Sequence, residues 1–293
     1  MKLPVRVGVV ILPDRAWSTA VDAWQRADAL GFDHAWTYDH LTWRGHRDLP
    51  WFGAIPTLAA ASVTTTRIRL GPLVTSPNFR HPMPLAKDLI TLDDLSRGRI
   101  TLGVGAGGTG WDATMLGQQP WSAEERSERF EEFVALTDLL LREPASTSHG
   151  RFYSVEGART HPGCVQRPRM PFAVAATGPR GMAVAARWGS TWVTTGPRQV
   201  AEPVPTDEGV VIVRRQIAAL ERACAQVRRD PATIDRLVLV GVSLDSGLDS
   251  PASFEDLASR YANEGVTDIV VHWPRDSDPY GSDPAVFERI FAT

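Results

Sequence analysis

The stretch HAWTYDH, residues 34–40, decides how the chain is read. A nearly continuous apolar run fits a strand buried on both faces. An acid and a base, Asp39 and His40, follow it directly. Working outward, comparable runs recur at 5–11, 68–74, 100–105, 172–176, 191–194, 237–242 and 268–272. Helical patterns lie between and after them, at 18–30, 55–64, 84–95, 123–141, 180–188, 208–227, 254–263 and 284–291. Ser18 is the expected N-cap of the first, and Gly31 its stop. Eight strands alternating with helices imply a repeated βα unit. The length suits a closed (β/α)₈ TIM barrel of about 250 residues or more, with an open doubly wound sheet as the alternative. Residues 143–170 are too long for an ordinary connection and read as an insertion with a short hairpin. No composition shift divides residues 1–293, so one α/β domain is expected.

In such a barrel the working groups sit at the C-terminal ends of the strands. That places Asp39 and His40 on the rim. The same rim receives Thr75 and Ser76, the glycine-dense exit 105–110, Thr177 and Gly178, and Thr195 and Gly196. GVGAGGTG at 103–110 permits close backbone approach to a flat or charged ligand, or simply a tight turn. AATGPRG at 175–181 precedes a helix. Thr177 can cap it, Pro179 suits its first turn, and the free amides suit an anion; an ordinary capped helix is the other reading. Thr75, Ser76, Pro77, Asn78 and Pro82 mark a sharp bend after the third strand. His81 reads there as part of a solvated turn or as a second rim histidine. Residues 122–129 read as a solvated helix start, unless Arg126 and Arg129 brace a rim loop.

Composition excludes several classes. The 293 residues are 43% hydrophobic and 22% charged, with net charge −3 and no basic block, which argues against nucleic acid. Cys164 and Cys224 have no metal-type spacing and read as reduced thiols of a cytoplasmic protein. The apolar run near the N-terminus is too short for a secretory or membrane segment. Among seven histidines there is no HExxH pair, and no GxSxG elbow supports a serine hydrolase. Paired-carboxylate chemistry would need two acids at strand ends, and only Asp39 is obvious.

YDHL at 38–41, RLGPLVTSPNFRHP at 69–82, RITLGVGAG at 99–107 and AATGPRGMAVAARW at 175–188 together resemble the luciferase-like monooxygenase superfamily. The resemblance implies a (β/α)₈ barrel with a flavin or deazaflavin at the C-terminal rim. One branch uses reduced FMN and oxygen; the other transfers hydride with coenzyme F420. The Asp-His pair resembles the second branch, which also carries a non-prolyl cis peptide after the third strand, here Leu73–Val74. By this resemblance the ring contacts Asp39, Leu73, Val74, Ala106 and Gly107. The tail phosphate lies near Thr177, Gly178, Thr195 and Gly196, with Arg180 or Arg198 toward any polyglutamate extension. Relatives that oxidise sugar phosphates carry a carboxylate just past the fourth-strand glycines. This chain has Gly108, Thr109 and Gly110 there, which speaks against such a substrate.

The expectation is an F420-dependent oxidoreductase acting on a small molecule. Asp39 would bond the cofactor, and His40 would donate or accept the proton, since imidazole titrates near neutrality. Trp43 lies where relatives keep an active-site tryptophan. Trp36, Trp43 and Trp51 could wall the pocket, with Trp36 better suited to core packing. The family resemblance adds a homodimer and a separate reductase supplying reduced cofactor. The alternatives are an FMN-dependent monooxygenase and a non-catalytic cofactor-binding protein. No metal, nucleic acid or membrane partner is expected.

Overall fold

Strands buried on both faces need a partner on each edge, and the chain meets this need by closing on itself. The computed structural model describes residues 3–43, 46–197, 200–275 and 280–292. Its elements run β1 (Arg6–Val10), α1 (Trp17–Leu30), β2 (His34–Thr37), α2 (Ala54–Thr64), β3 (Arg69–Pro72), α3 (Pro82–Leu95), β4 (Leu102–Gly105) and α4 (Ala123–Arg142). Then follow β5 (Ala145–His149), β6 (Ser154–Arg159), β7 (Phe172–Ala175), α5 (Pro179–Trp188), β8 (Thr191–Thr194) and α6 (Thr206–Gln226). The last elements are β9 (Asp235–Leu239), α7 (Pro251–Asn263), β10 (Asp268–His272) and α8 (Pro284–Phe291). The parallel order is β3-β2-β1-β10-β9-β8-β7-β4. β3 and β4 close the ring through Leu70 N–Arg99 O at 3.0 Å, Thr101 N–Leu70 O at 2.9 Å and Thr75 N–Gly103 O at 2.9 Å. The expected (β/α)₈ barrel is therefore the observed fold, and the doubly wound alternative falls away.

The insertion contains the antiparallel hairpin β5–β6. Glu132 of α4 fastens its turn by accepting from the amides of Phe152 and Tyr153 at 2.9 and 2.7 Å. The starts of one helix and one strand differ from expectation. α1 begins after Ala16 without a side-chain cap, so Ser18 lies inside its first turn. β9 begins at the polar Asp235 rather than at the apolar run from residue 237, because pairing with β8 and not hydrophobicity sets its edge.

Two apolar layers result. One lies between strands and helices and includes Val9, Leu70, Leu102, Val174 and Trp192. The other fills the barrel, with Val10, Trp36, Tyr38, Leu73, Val193, Leu239 and Val270. Trp36 is thus core packing, as expected. Below it the barrel floor is ionic. Trp36 Nε1 donates to His34 Nδ1 at 2.7 Å, and His34 Nε2 meets Asp268 Oδ1 at 3.0 Å. Arg6 donates through Nε and Nη2 to both Asp268 oxygens, each at 2.7 Å.

Candidate active site

β2 delivers Asp39 and His40 to the rim, and the structure gives them different work. Asp39 is 1% exposed. Both of its oxygens accept from Arg80, Nη2 at 2.7 Å and Nε at 3.1 Å. Its carboxylate therefore ties the β2 exit to the loop after β3. His40 Nδ1 meets Asp112 Oδ2 at 2.5 Å, while the second Asp112 oxygen accepts from Leu41 N at 2.7 Å. Trp51 Nε1 donates to the His40 carbonyl at 2.9 Å. The ring is fixed on one edge. An ionised Asp112 requires the Nδ1–H tautomer, so Nε2 is the nitrogen not committed to it. The His40 side chain is 31% exposed, against 9% for Asp112. A carboxylate behind an imidazole sets its tautomer and stabilises the imidazolium.

Asp112 escaped the sequence reading, which looked for a carboxylate at 108–110 and found none. It lies two residues further, buried in the 3₁₀ turn Trp111–Ala113. An acid closely following a glycine-rich exit was the available signal. A carboxylate does stand beside His40, so the lack of one at residues 108–110 does not count against a sugar phosphate.

The bond Leu73–Val74 is cis, as the resemblance implied. It lies where β3 crosses β4. A Cβ built on Gly103 would stand 2.0 Å from Pro72 O. The first glycine of the run is therefore needed for the barrel wall itself. Gly107 differs: its φ is +73°, and residues 107–111 are exposed. Asn78 Nδ2 donates to Gly108 O at 3.0 Å. Asn78 Oδ1 and Thr75 Oγ1 are buried without a partner among the described residues. Buried polar atoms are normally paired. Two unpaired ones beside an open glycine exit suit a flat heteroaromatic ligand with polar edges.

Three more strand exits continue the rim. β4 and β7 pair up to Gly105 and Ala175, and Ala176 N donates to Val193 O at 3.2 Å. Ala106 and Gly107, Thr177 and Gly178, and Thr195 and Gly196 therefore lie on neighbouring exits. Gly178, not Thr177, is the N-cap of α5, with Pro179 following. The helix start still leaves first-turn amides without intrahelical acceptors. Gln216 of α6, another residue missed in the sequence, locks the adjacent turn. It bonds Thr194 Oγ1 at 2.7 Å and donates to Gly196 O at 2.9 Å. Arg180 pairs with Glu124 at 3.3 Å, so its cation is engaged. Arg198 lies outside the described residues.

Trp43 is 7% exposed and stacks on Trp51 at 5.9 Å between centroids. It serves as a wall among Tyr38, His46 and Tyr280. Arg275 fastens this wall by bonding Asp14 and donating to His46 Nε2 at 3.1 Å. His81 caps α3 by accepting from Met83 N at 3.2 Å, so it is neither an idle turn residue nor part of the His40 cluster. Arg129 lies over Trp121 and Phe152, at 4.2 and 4.4 Å, and so braces the hairpin against the loop before α4. Among the described residues no group of three or more His, Cys, Asp or Glu could hold a metal, and no helix is long and apolar enough to cross a membrane.

A closed barrel with an acid–base pair and a glycine exit on its C-terminal rim has the framework of a (β/α)₈ enzyme. The luciferase-like monooxygenase family matches residues 1–275, and the chain belongs to that family. An F420-dependent glucose-6-phosphate dehydrogenase of Intrasporangium calvum is 30% identical over 293 residues, covering 88% of this chain and 81% of the relative. Another of that description, from Beutenbergia cavernae, is 33% identical over 227 residues, covering 75% of this chain. The chain spans 62% of the length of that relative. Among solved structures, an F420-dependent secondary alcohol dehydrogenase bound to an F420–acetone adduct matches with a TM-score of 0.76 at 17% identity, covering 98% and 96% of the two chains. The F420-dependent tetrahydromethanopterin reductase of Methanopyrus kandleri gives 0.74 at 18% identity, covering 98% and 97%. At these identities the structural matches speak for the fold.

Proposed function

We propose that this protein is an oxidoreductase that uses coenzyme F420 to transfer hydride to or from a small organic substrate. The observation that carries the reading is the His40–Asp112 pair, held beside the cis bond and the glycine exit. When bound, the deazaflavin supplies or accepts the hydride. The chain does the rest. Leu73, Val74, Ala106 and Gly107 back the ring; Thr75 and Asn78 offer it polar contacts. Thr177, the Gly178 amide, Thr195 and Gly196 hold the tail phosphate at the start of α5. His40 gives or takes a proton at Nε2 while Asp112 holds Nδ1. Trp43 and Trp51 shield that exchange from water. Asp39 acts on the cofactor through Arg80 and the shape of the β3 loop. The F420-dependent relatives support this cofactor over FMN. The reading includes a cytoplasmic homodimer and, where hydride flows to the substrate, a separate reductase that supplies the reduced cofactor.

Calorimetric titration with F420 and with FMN tests the assignment. F420 should bind more tightly. Tighter FMN binding, with oxygen consumed when substrate is added, would replace this reading with the monooxygenase one.

The phosphate site has its own test. Gly178 has φ −98° and ψ 163°, an extended conformation open to any residue. Gly178→Val should therefore fold with its thermal stability largely intact, apart from the small cost of valine at an N-cap, yet bind F420 more weakly, because the added side chain obstructs the amides. A folded variant with parental affinity would place the tail elsewhere.

A further inference from the structure

The loops that hold the His40–Asp112 pair also carry most of the exposed bulky apolar surface. Nine large hydrophobic side chains are exposed among the described residues, and five of them stand on residues 46–53 and 106–122. These are Leu49, Phe52, Trp111, Met115 and Leu116, between 39% and 57% exposed. The concentration matters because single exposed apolar residues are ordinary, whereas a contiguous group marks a binding surface. The two loops meet. The Arg47 guanidinium lies 4.1 Å from the Trp111 ring centroid, and Leu41 N donates to Asp112 at 2.7 Å. Trp111 directly precedes Asp112. Phe52 directly follows Trp51, whose indole bonds the His40 carbonyl. The apolar residues are therefore carried by the same two loops as the acid–base pair. Of the nearby cations, Arg80 is paired with Asp39 and Arg275 with Asp14, while Arg47 lies over the Trp111 ring.

Resting on the active-site reading above, we propose that these loops form an apolar mouth that selects hydrophobic substrates. The polar reacting group of the substrate sits at His40, and its alkyl chain or ring covers Phe52, Trp111, Met115 and Leu116. A compact phosphorylated sugar is a poor occupant of such a mouth, because its polar surface would be desolvated against apolar side chains without matching partners.

The experiment is a binding series. The protein, with and without F420, is titrated with straight-chain methyl ketones from butanone to decanone and with glucose 6-phosphate. Affinity should rise by about fourfold per added methylene until the mouth is filled. The double substitution Met115→Ser with Leu116→Ser should flatten this dependence and leave F420 affinity unchanged; both side chains are exposed, so the fold should hold. His40→Ala should lower affinity by the same factor at every chain length, since it touches only the polar end. Affinity independent of chain length, or glucose 6-phosphate binding tighter than every ketone, would overturn the proposal. So would a double variant whose only change is loss of self-association, which would make the patch a contact between copies. A chain-length dependence without any F420 binding would instead overturn the cofactor reading and leave the apolar mouth standing.

Discussion

His40→Ala should turn over about 10²–10⁴-fold more slowly than the parent, the usual contribution of a positioned acid–base group, and should bind F420 as tightly. The separation of rate from affinity follows from geometry. The imidazole contacts Asp112 and the rim, while the proposed phosphate site lies across the ring on the β7 and β8 exits. The side chain is 31% exposed, so its loss leaves no large cavity. Asp112 keeps a partner in Leu41 N. Steady-state rates at saturating cofactor, with calorimetry on the same samples, read both quantities. Asp112→Asn should also slow turnover, because an amide can present a donor to Nδ1 and so favour the wrong tautomer. A folded His40→Ala protein with the parental rate would remove this histidine from the mechanism. Asp39→Ala should behave differently. As the cofactor contact that the sequence suggests, Asp39 should on removal weaken cofactor binding more than it slows chemistry at saturation. The bidentate bond from Arg80 adds a stability cost, so a melting curve must accompany the binding measurement.

What was legible in the sequence depended on how local its cause is. Strands buried on both faces leave continuous apolar runs, and turns between them leave glycines and prolines, so all eight barrel strands could be read. Their ends were less certain, as β9 shows, because strand pairing sets them. Polar rim positions could be placed because a barrel puts strand exits on one face. Their partners could not. Asp112 reaches His40 across 72 residues, and Arg80 reaches Asp39 across 41. Nothing in the short stretch 34–40 shows which acid or base will arrive from another loop. The glycine run was read as one feature and proved to be two. Gly103 answers to the approach of the β3 backbone, and Gly107 to a left-handed turn at the open exit. Both demands write the same letter.

The barrel floor carries the largest expected effect on stability. Asp268→Asn should cost about 1–3 kcal/mol at neutral pH, the penalty for leaving buried hydrogen-bonding groups without their partner; Arg6 itself is 47% exposed and keeps Asp235 at 2.8 Å, so it is not stranded as a buried charge. The Asp268 side chain is 4% exposed. It accepts from Arg6 twice, from His34 and from Thr267 Oγ1, the last at 2.5 Å. Asparagine preserves its volume but removes the charge and turns an amide N–H₂ toward other donors. Burial alone would raise the Asp268 carboxyl, but the hydrogen bonds from Arg6 and His34 outweigh it and hold the group well below the usual carboxylate range. A carboxyl whose folded pKa is depressed contributes stability that is complete above its unfolded pKa of about 4. That contribution is lost as pH falls toward the folded value. The difference between parent and variant, measured by urea unfolding, should therefore be constant above about pH 5 and shrink in acid. F420 affinity should not change, because the floor lies at the opposite end of the barrel from the rim. A variant as stable as the parent at neutral pH, or a difference that does not narrow in acid, would mean that the charge on Asp268 does not hold the floor together.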